Sequence, residues 1–327
     1  MLCSASLIGP AGLALLSLWA SLATAVSFPK IPNTLGTHDP SRLIQDGDCF
    51  YFYSTSNDLS GWFTCDEGDS WKQTPAVFPN GIPISVHQHA PTNDGHNIWA
   101  PDVIYNTYTN LFYLYYAVAD WDNSLQNAIG LVTSPTLDPS QAKWTDRGVV
   151  IYRSTKSDQY AAIDPGPFFD DNGDLWLTLG SGYAVTRATA INVIPLDRET
   201  GLRSGSNITS VQSCGCEASY IQPHSGSYYL FWNTGGCCSG ATSTYTIHVA
   251  KGSSPTGPFG TPSTFLSSSS TEHGPGQIGI TTENDVDYFT YHYYPNEGGS
   301  VLGYGEVDWS SGMPKAKESA SDTSKLC

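Results

Sequence analysis

The chain has 327 residues and a formal net charge of −16 at pH 7, with 30 acidic side chains against 14 basic ones. A chain this acidic and without a basic cluster does not suit a phosphate backbone or an anionic lipid surface, so nucleic acid and membranes are excluded as partners. Charged residues make up only 13% of the chain, about half of their usual share, while Ser, Thr, Asn, Gly and Tyr are plentiful. This composition is typical of an extracellular β protein.

The first 25 residues predict a signal peptide. They contain no charged side chain, carry an apolar run centred on Leu13 to Ala20, and end in Ala23-Thr24-Ala25, an A-x-A cleavage pattern. The alternative is an N-terminal membrane anchor, which Ser17 and Ser21 disfavour because they interrupt the run. We therefore expect a secreted, extracellular protein. Residues 26–314 are then expected to form one domain without a visible linker, residues 315–327 are expected to form a polar C-terminal tail, and we expect a monomer.

Five segments share a polar, catalytic-type residue at the start of an apolar, strand-like run. They cover residues 37–44, 98–103, 162–167, 216–221 and 272–277. Their polar residues, at near-even spacing, are Asp39, Asp102, Asp164, Glu217 and His273. After each segment comes a turn signal and then a run rich in aromatic or apolar residues, which predicts a hairpin.

A third strand follows in each unit, and fourth-strand candidates appear near residues 71–73 and 148–152. Four strands in each of five units predict an all-β, five-bladed β-propeller. The alternative is a β-sandwich, which would also have short strands but does not predict five polar residues at near-even spacing. In a propeller the first strand of every blade lines the central channel, so the marked residues would meet at one funnel.

Seven cysteines remain once Cys3 leaves with the signal peptide. Cys49 and Cys65 lie at the two ends of a predicted hairpin and could face one another across it. The adjacent Cys237 and Cys238 would either close a vicinal disulfide or enter two separate bridges. The others are Cys214, Cys216 and Cys327. In a secreted chain we interpret these cysteines as disulfide-bonded and not as zinc ligands, because no His has the spacing from them that a zinc finger shows.

Asp39, Asp164 and Glu217 each begin the first strand of a different unit. If they meet at one end of a channel, ionising all three costs free energy, because like charges in a partly dry pocket raise the pKa of one of them. A protonated carboxyl beside an ionised one is the pair that glycoside hydrolysis requires. The structural alternative is that Asp39-Pro40 and Asp164-Pro165 merely start turns, as Asp138-Pro139 is expected to do.

The motifs in these segments resemble those of glycoside hydrolase family 43, and within it those of the arabinan-degrading enzymes. The resemblance runs from about residue 33 to residue 309 and keeps the family's order. It rests on Thr-His-Asp-Pro-Ser at 37–41, Asn-Ile-Trp-Ala-Pro-Asp-Val at 97–103, Ala-Ile-Asp-Pro at 162–165, Glu-Ala-Ser-Tyr-Ile at 217–221 and Gly-Pro-Gly-Gln at 274–277.

The resemblance implies an inverting hydrolase of α-1,5-linked L-arabinofuranosyl bonds in arabinan, the side chains of plant pectin. Asp39 matches the general base that activates water, and Glu217 matches the general acid. Asp164 matches the third carboxylate, which orients Glu217 and keeps its pKa high. Inversion predicts that the carboxyls of Asp39 and Glu217 lie roughly 6.5 to 9.5 Å apart. The chemistry requires no cofactor.

Other residues are predicted from the resemblance with less support. Trp99 is expected to stack on a sugar ring, with a core position as the alternative. Asn127 and Ser181 match positions that bind sugar hydroxyls, whereas Asp102 is expected to be structural. Relatives often hold a structural calcium ion in the channel with the help of a histidine at the position of Gln277. Here His273 or Gln277 would have to serve, although calcium prefers oxygen ligands.

Three other functions remain open from the sequence. A β-xylosidase or another α-L-arabinofuranosidase of the same family would share these motifs. A retaining fructan hydrolase is disfavoured by His38-Asp39-Pro40 and Glu217-Ala218, which depart from the Asn-Asp-Pro and Glu-Cys signatures of that class. A non-catalytic propeller lectin would not need three carboxylates in place. Endo and exo action are not distinguished by the sequence.

Overall fold

The computed structural model describes residues 27–120, 126–154, 160–180 and 190–318. The predicted signal peptide and Ser181 lie outside these residues. Within them, the protein forms five antiparallel sheets that follow one another along the chain, which is the predicted five-bladed β-propeller. No helix of this described part is long and apolar enough to cross a membrane.

Each blade is built from strands in chain order, from the channel outward. Blade 1 contains β1 (Ile44–Asp46), β2 (Cys49–Ser54), β4 (Ser60–Thr64) and β5 (Lys72–Gln73). Blade 2 contains β6 (Asn97–Asn106), β7 (Leu111–Ala119), β8 (Asn127–Ser134) and β9 (Thr145–Arg153), with β3 (Ser56–Asn57) added beside β6. Blade 3 contains β10 (Ile163–Phe169), β11 (Leu175–Gly180), β12 (Ala190–Leu196) and β13 (Thr209–Ser213).

The last two blades follow the same order. Blade 4 contains β14 (Glu217–His224), β15 (Ser227–Thr234), β16 (Thr246–Gly252) and β17 (Ser263–Leu266). Blade 5 contains β18 (His273–Glu283), β19 (Val286–Tyr294), β20 (Val301–Asp308) and β21 (Lys315–Glu318). The described helices are one turn each, α1 (Ile84–His87) and a 3₁₀ turn at Gly240–Thr242.

The middle strands of blade 2 are buried on both faces, and their sequences show why. Eight of the nine residues of β7 and all eight of β8 are buried, so these strands read as continuous apolar runs instead of alternating ones. The outer strand β9 begins with three exposed residues. Apolar clusters therefore lie between neighbouring blades, as where Phe265 of blade 4 meets Phe289 of blade 5.

The N-terminal segment closes the ring onto the last blade. Gly36 forms a β-bridge with Val301, and the N–H group of Leu302 donates to the carbonyl of Leu35 at 2.9 Å. Phe28 stacks on Tyr288 with ring centroids 4.0 Å apart. The N-terminal segment that leads into blade 1 is thus held by blade 5.

Two predicted boundaries differ from the structure. Residues 315–318, which the sequence assigned to the tail, form β21 and pair with β20 from Gly305↔Glu318 to Asp308↔Lys315. They pair because blade 5 otherwise lacks its outer strand, and backbone hydrogen bonding does not require apolar side chains. Asp39 does not begin a strand either, since it precedes β1 by several residues.

Candidate active site

The site is built on a repeated backbone feature at the inner edge of the blades. At this edge each blade has one non-glycine residue with a left-handed backbone, with φ between 38° and 57°. These residues are Asp39, Ala100, Asp164, Ala218 and Gln277. In β6, β10, β14 and β18 the pairing register shifts at this point. Such bulges re-aim side chains, and strained backbone of this kind often marks functional sites.

Side chains from the preceding blade hold this feature in place. Four of the left-handed residues donate their backbone N–H to such a side chain, at 2.8 to 3.2 Å. The pairs are Asp39 with His292 Nδ1, Ala100 with Thr55 Oγ1, Ala218 with Asp164 Oδ2, and Gln277 with Asn233 Oδ1. Because these donors are in or near the channel wall, each bond satisfies a group that would be costly to leave unpaired.

Asp39 is partly exposed, with a side chain that is 19% exposed, whereas Asp164 is buried. Its Oδ2 accepts a hydrogen bond of 2.8 Å from the Thr55 hydroxyl. Two imidazoles flank it, with His38 Nε2 at 3.5 Å from Oδ2 and His292 Nδ1 at 3.4 Å from Oδ1. The Thr55 bond fixes one oxygen and leaves the carboxylate able to accept a proton.

Asp164 and Glu217 form a coupled pair beside Asp39. Burial raises the pKa of Asp164 well above its usual value, and the charges of Glu217 and Asp39 raise it further against the Ala218 hydrogen bond. Burial also raises the pKa of Glu217, and Asp39 adds to this, whereas the Tyr245 hydroxyl lowers it by donating to Glu217 Oε1. The three predicted catalytic residues therefore converge, and the pair retains a proton above the normal carboxyl range.

Asp164 acts on Glu217 in two ways. The two carboxyls repel one another when both are charged, so they disfavour ionisation of the pair, and burial and Asp39 also raise the pKa of Glu217. Asp164 also accepts the N–H group of Ala218, the residue next to Glu217, at 2.9 Å. It therefore orients the acid through the backbone, which is the positioning part of the prediction.

Asn127 forms a bond between two blades, and its predicted contact with sugar hydroxyls stays a prediction. Its side chain is fully buried, and Oδ1 accepts the N–H group of Ala162 at 2.7 Å. It ties blade 2 to blade 3 because an amide oxygen is needed to satisfy that buried donor. Trp99 is half-buried, donates to Asn97 Oδ1 and packs on the cluster between blades 2 and 3, and its stacking role stays a prediction.

Asp102 has the structural role that was predicted, and its contacts connect blade 2 to neighbouring blades as well. It accepts the backbone N–H of Arg42 at 3.0 Å and the guanidinium of Arg42 at 2.5 to 3.2 Å. Arg42 also donates to the carbonyl of Pro167 at 2.5 Å. This buried ion pair joins blades 1, 2 and 3 below the carboxylates.

The residues predicted for a calcium ion do not fit one. His273 Nε2 is bonded to Asn296 Oδ1 at 2.8 Å, and Gln277 is buried. His273 does not belong to a cluster of His, Cys, Asp and Glu side chains that could hold a metal in the described part of the chain, where one such cluster is His38, Asp39 and His292. That group offers one carboxylate, and His292 Nδ1 already accepts the N–H of Asp39, so it does not supply the oxygen shell that calcium prefers. No step below depends on a metal.

Two residues at the site were not found from the sequence. His292 is fully buried, and burial lowers its pKa to about 3, with the nearby His38 adding to this against Asp39. It is therefore neutral at neutral pH. The pKa of Tyr245 is raised above its usual value by burial and by Glu217, so Tyr245 remains a neutral hydrogen-bond donor. The only sequence signal for His292 was its polarity within the aromatic run of β19.

A separate cavity of about 250 Å³ lies in blade 5 and does not include the carboxylates. Its lining includes Glu272, Tyr291 and Tyr293. Tyr291 and Tyr293 project from the opposite face of β19 to His292. We place the site at the carboxylates because paired acids with raised pKa values carry chemistry, whereas a cavity alone does not.

A funnel with two coupled carboxyls and a third accessible carboxylate defines a glycoside hydrolase type of site. The family model of glycosyl hydrolases family 43 matches residues 32–314. The chain therefore belongs to glycosyl hydrolase family 43, and it is a glycoside hydrolase.

Similar proteins are named as arabinan-degrading enzymes. The chain is 31% identical over 303 residues to the probable arabinan endo-1,5-alpha-L-arabinosidase A of Aspergillus flavus, covering 85% of this chain and 89% of that protein. It is 33% identical over 294 residues to the extracellular endo-alpha-(1->5)-L-arabinanase 1 of Bacillus subtilis, covering 85% and 86%.

Solved structures agree with this likeness. The alpha-L-arabinanase of Cellvibrio cellulosa complexed with arabinohexaose superposes with a TM-score of 0.77 at 26% identity, covering 86% of this chain and 96% of that one. The family 43 endo-arabinanase of Bacillus licheniformis gives 0.76 at 30% identity, covering 88% and 100%.

Proposed function

We propose that this protein is a secreted, endo-acting and inverting hydrolase of α-1,5-linked L-arabinofuranosyl bonds in arabinan. The observation that carries the proposal is the meeting of Asp39, Asp164 and Glu217 at one end of the propeller channel, with raised pKa values for the two buried acids. The substrate is supported by relatives above 30% identity, which are named as endo-1,5-arabinanases.

Glu217 is the general acid. Burial keeps it protonated above the normal carboxyl range, so it can give a proton to the leaving glycosidic oxygen. Its neighbour Ala218 is held by Asp164, which limits the directions in which the Glu217 side chain can point. Tyr245 donates to the oxygen of Glu217 and stabilises the carboxylate that forms after proton transfer.

Asp39 is the general base. It is partly exposed at the channel mouth, and one of its oxygens is fixed by Thr55. The base accepts a proton from the water that attacks the anomeric carbon from the face opposite to the leaving group. Water and sugar must both fit between Asp39 and Glu217, which is the arrangement that gives inversion.

Secretion is supported by three disulfides in the described residues, Cys49–Cys65, Cys214–Cys216 and Cys237–Cys238. Disulfides of this kind persist in oxidising compartments. The first and third are pairings that the sequence left open. The leader pattern of residues 1–25 and the extracellular relative from Bacillus subtilis point the same way.

The test is a time course of digestion of linear, debranched arabinan, followed by chromatography. The wild-type protein is expected to release mixed oligomers early, whereas early arabinose alone would refute endo action. Xylose from xylo-oligosaccharides, with arabinan untouched, would show that the substrate proposal is wrong.

Two variants test the assignment of the acid. Glu217→Gln is expected to lower kcat by about 10³-fold, because general acid catalysis contributes about 10² to 10⁴. Glu306→Gln is the control, since Glu306 is an exposed carboxylate paired with Lys317 on blade 5, and it should retain wild-type activity. Full activity of Glu217→Gln would remove Glu217 from the mechanism.

A further inference from the structure

The loop between β15 and β16 carries an adjacent cysteine pair at the catalytic end of the channel. β15 ends at Thr234, and its Asn233 pairs with Glu217 at the start of β14. The loop therefore leaves the blade beside the proposed general acid. Its Cys237 and Cys238 form a disulfide.

This disulfide contacts the residues that surround the proposed general base. Cys238 Sγ lies 3.5 Å from His38 Nε2, and the same nitrogen lies 3.5 Å from Asp39 Oδ2. Two steps of 3.5 Å place the sulfur no more than 7 Å from the carboxylate. The N–H group of Cys238 also donates to the Tyr294 hydroxyl at 3.2 Å, so the backbone at the sulfur is fixed.

The same loop reaches the proposed acid at its other end. Tyr245 closes the loop and donates to Glu217 Oε1. Between these ends, Gly236 and Thr244 are joined by two hydrogen bonds, at 3.0 Å to the Thr244 hydroxyl and at 2.8 Å between backbone groups. The loop thus spans the gap between base and acid, where the sugar must lie.

A stabilising role does not account for the Cys237–Cys238 bond. A disulfide stabilises a fold mainly by restricting the unfolded chain, and the effect grows with the length of the closed loop. Adjacent cysteines close the shortest loop a chain can form, so this restriction is minimal. The Cys49–Cys65 bond, with a sequence separation of 16, is the one suited to that role.

The chemistry of the pair suits contact with a sugar. Cys238 is exposed and Cys237 is half-buried, so part of the disulfide faces solvent at the rim of the funnel. A disulfide has no hydrogen-bond donor and offers a polarizable, weakly hydrated surface. The C–H face of a sugar ring is apolar in the same way, and a rigid contact surface costs little ordering entropy on binding.

We propose that the Cys237–Cys238 disulfide is a substrate-contact surface of the catalytic funnel, against which the sugar beside Asp39 packs. The oxidised pair therefore sets the affinity for the glycan. This inference rests on the proposed function, and it adds a binding element supplied by a loop instead of by an inner strand.

The test compares two double variants on a linear arabino-oligosaccharide. C237A/C238A is expected to raise KM roughly fivefold to tenfold and to leave kcat within about twofold, since a contact made equally in the ground and transition states affects KM alone. The control C49A/C65A removes the disulfide of blade 1, and it is expected to lower the melting temperature while leaving KM unchanged. The alkaline limb of the pH profile should be the same in all three proteins.

Chemical reduction provides a second measurement that needs no variant of the loop to fold. A phosphine reductant should raise KM of the wild-type protein, and reoxidation should restore it. The reductant should leave KM of C237A/C238A unchanged, because this variant lacks the disulfide whose reduction is expected to raise KM. An unchanged KM in the variant, or a loss confined to kcat, would overturn the proposal. If the wild-type protein did not cleave the oligosaccharide at all, the proposed function would fall instead, so the two failures are distinguishable.

Discussion

The buried ion pair between Arg42 and Asp102 gives a prediction whose size can be worked out from the structure. The two side chains are 13% and 5% exposed, and Asp102 accepts bonds from the Arg42 backbone, its guanidinium and the N–H group of Val103. Asp102→Ala removes the only carboxylate that the structure places against this guanidinium among the described residues.

The expected cost is about 3 to 5 kcal/mol in the free energy of unfolding, because the variant leaves a buried charge without its partner. The carbonyl of Pro167 and the ring of Tyr220, 4.8 Å from the guanidinium carbon, remain as neighbours. They compensate in part, so we expect a loss at the lower end, about 3 kcal/mol. For a protein of this size that loss lowers the melting temperature by about 6 °C.

The measurement is urea unfolding followed by tryptophan fluorescence, with Asp69→Ala as the matched control. Asp69 forms an ion pair of 2.7 Å with Lys30, but these side chains are 69% and 74% exposed. Exposed pairs contribute about 0 to 1 kcal/mol, so this control should stay within about 1 kcal/mol of the wild type. Equal losses in the two variants, or a loss below about 1 kcal/mol for Asp102→Ala, would refute the reasoning.

Three further predictions concern the residues around the carboxylates. Tyr245→Phe removes a bond that favours ionised Glu217, so the alkaline limb of kcat/KM should move to higher pH; a shift to lower pH would contradict this. Asp164→Ala removes the oxygen that holds the Ala218 N–H, so kcat should fall about 100-fold, whereas Asp164→Asn keeps an oxygen there and should lose less; wild-type kcat in Asp164→Ala would exclude the positioning role. Burial lowers the pKa of His292 from an ordinary value of 6.5 to about 3 in the folded protein, so the unfolded chain binds more protons between these values and stability falls as pH falls through this window. His292→Gln should therefore lose less stability than the wild type between about pH 7 and pH 4 in urea unfolding, and an equal or larger loss would count against a buried neutral imidazole.

The fold and the three carboxylates could be predicted from the sequence because both depend on repetition. Five units with similar turns and strands indicate blades, and the first strands of blades line one channel. Asp39, Asp164 and Glu217 were therefore expected together, and the structure brings them together.

The surroundings of the carboxylates were not predictable in the same way. The bond from the Ala162 N–H to Asn127 was not expected, because polarity alone does not show which backbone donor a side chain will bind. From the sequence, His273 is the polar residue that begins the fifth unit. In the structure, the residue of blade 5 with the same left-handed backbone as Asp39 is Gln277. Left-handed backbone at Gln277 depends on the bulge in β18, and a single sequence carries no local signal for it.

The loop contacts were also beyond the sequence. Tyr245 and Cys238 approach Glu217 and His38 because the loop after β15 turns across the channel mouth. Such contacts depend on the path of a loop, which neither spacing nor composition specifies.

The most direct measurement of the central claim is proton NMR of the first product formed from a linear α-1,5-arabino-oligosaccharide. If Asp39 activates a water on the face opposite to Glu217, the new reducing end must appear first as the β-anomer and then mutarotate. First appearance of the α-anomer would mean retention, and it would contradict the assignment of Asp39 as a base acting through water.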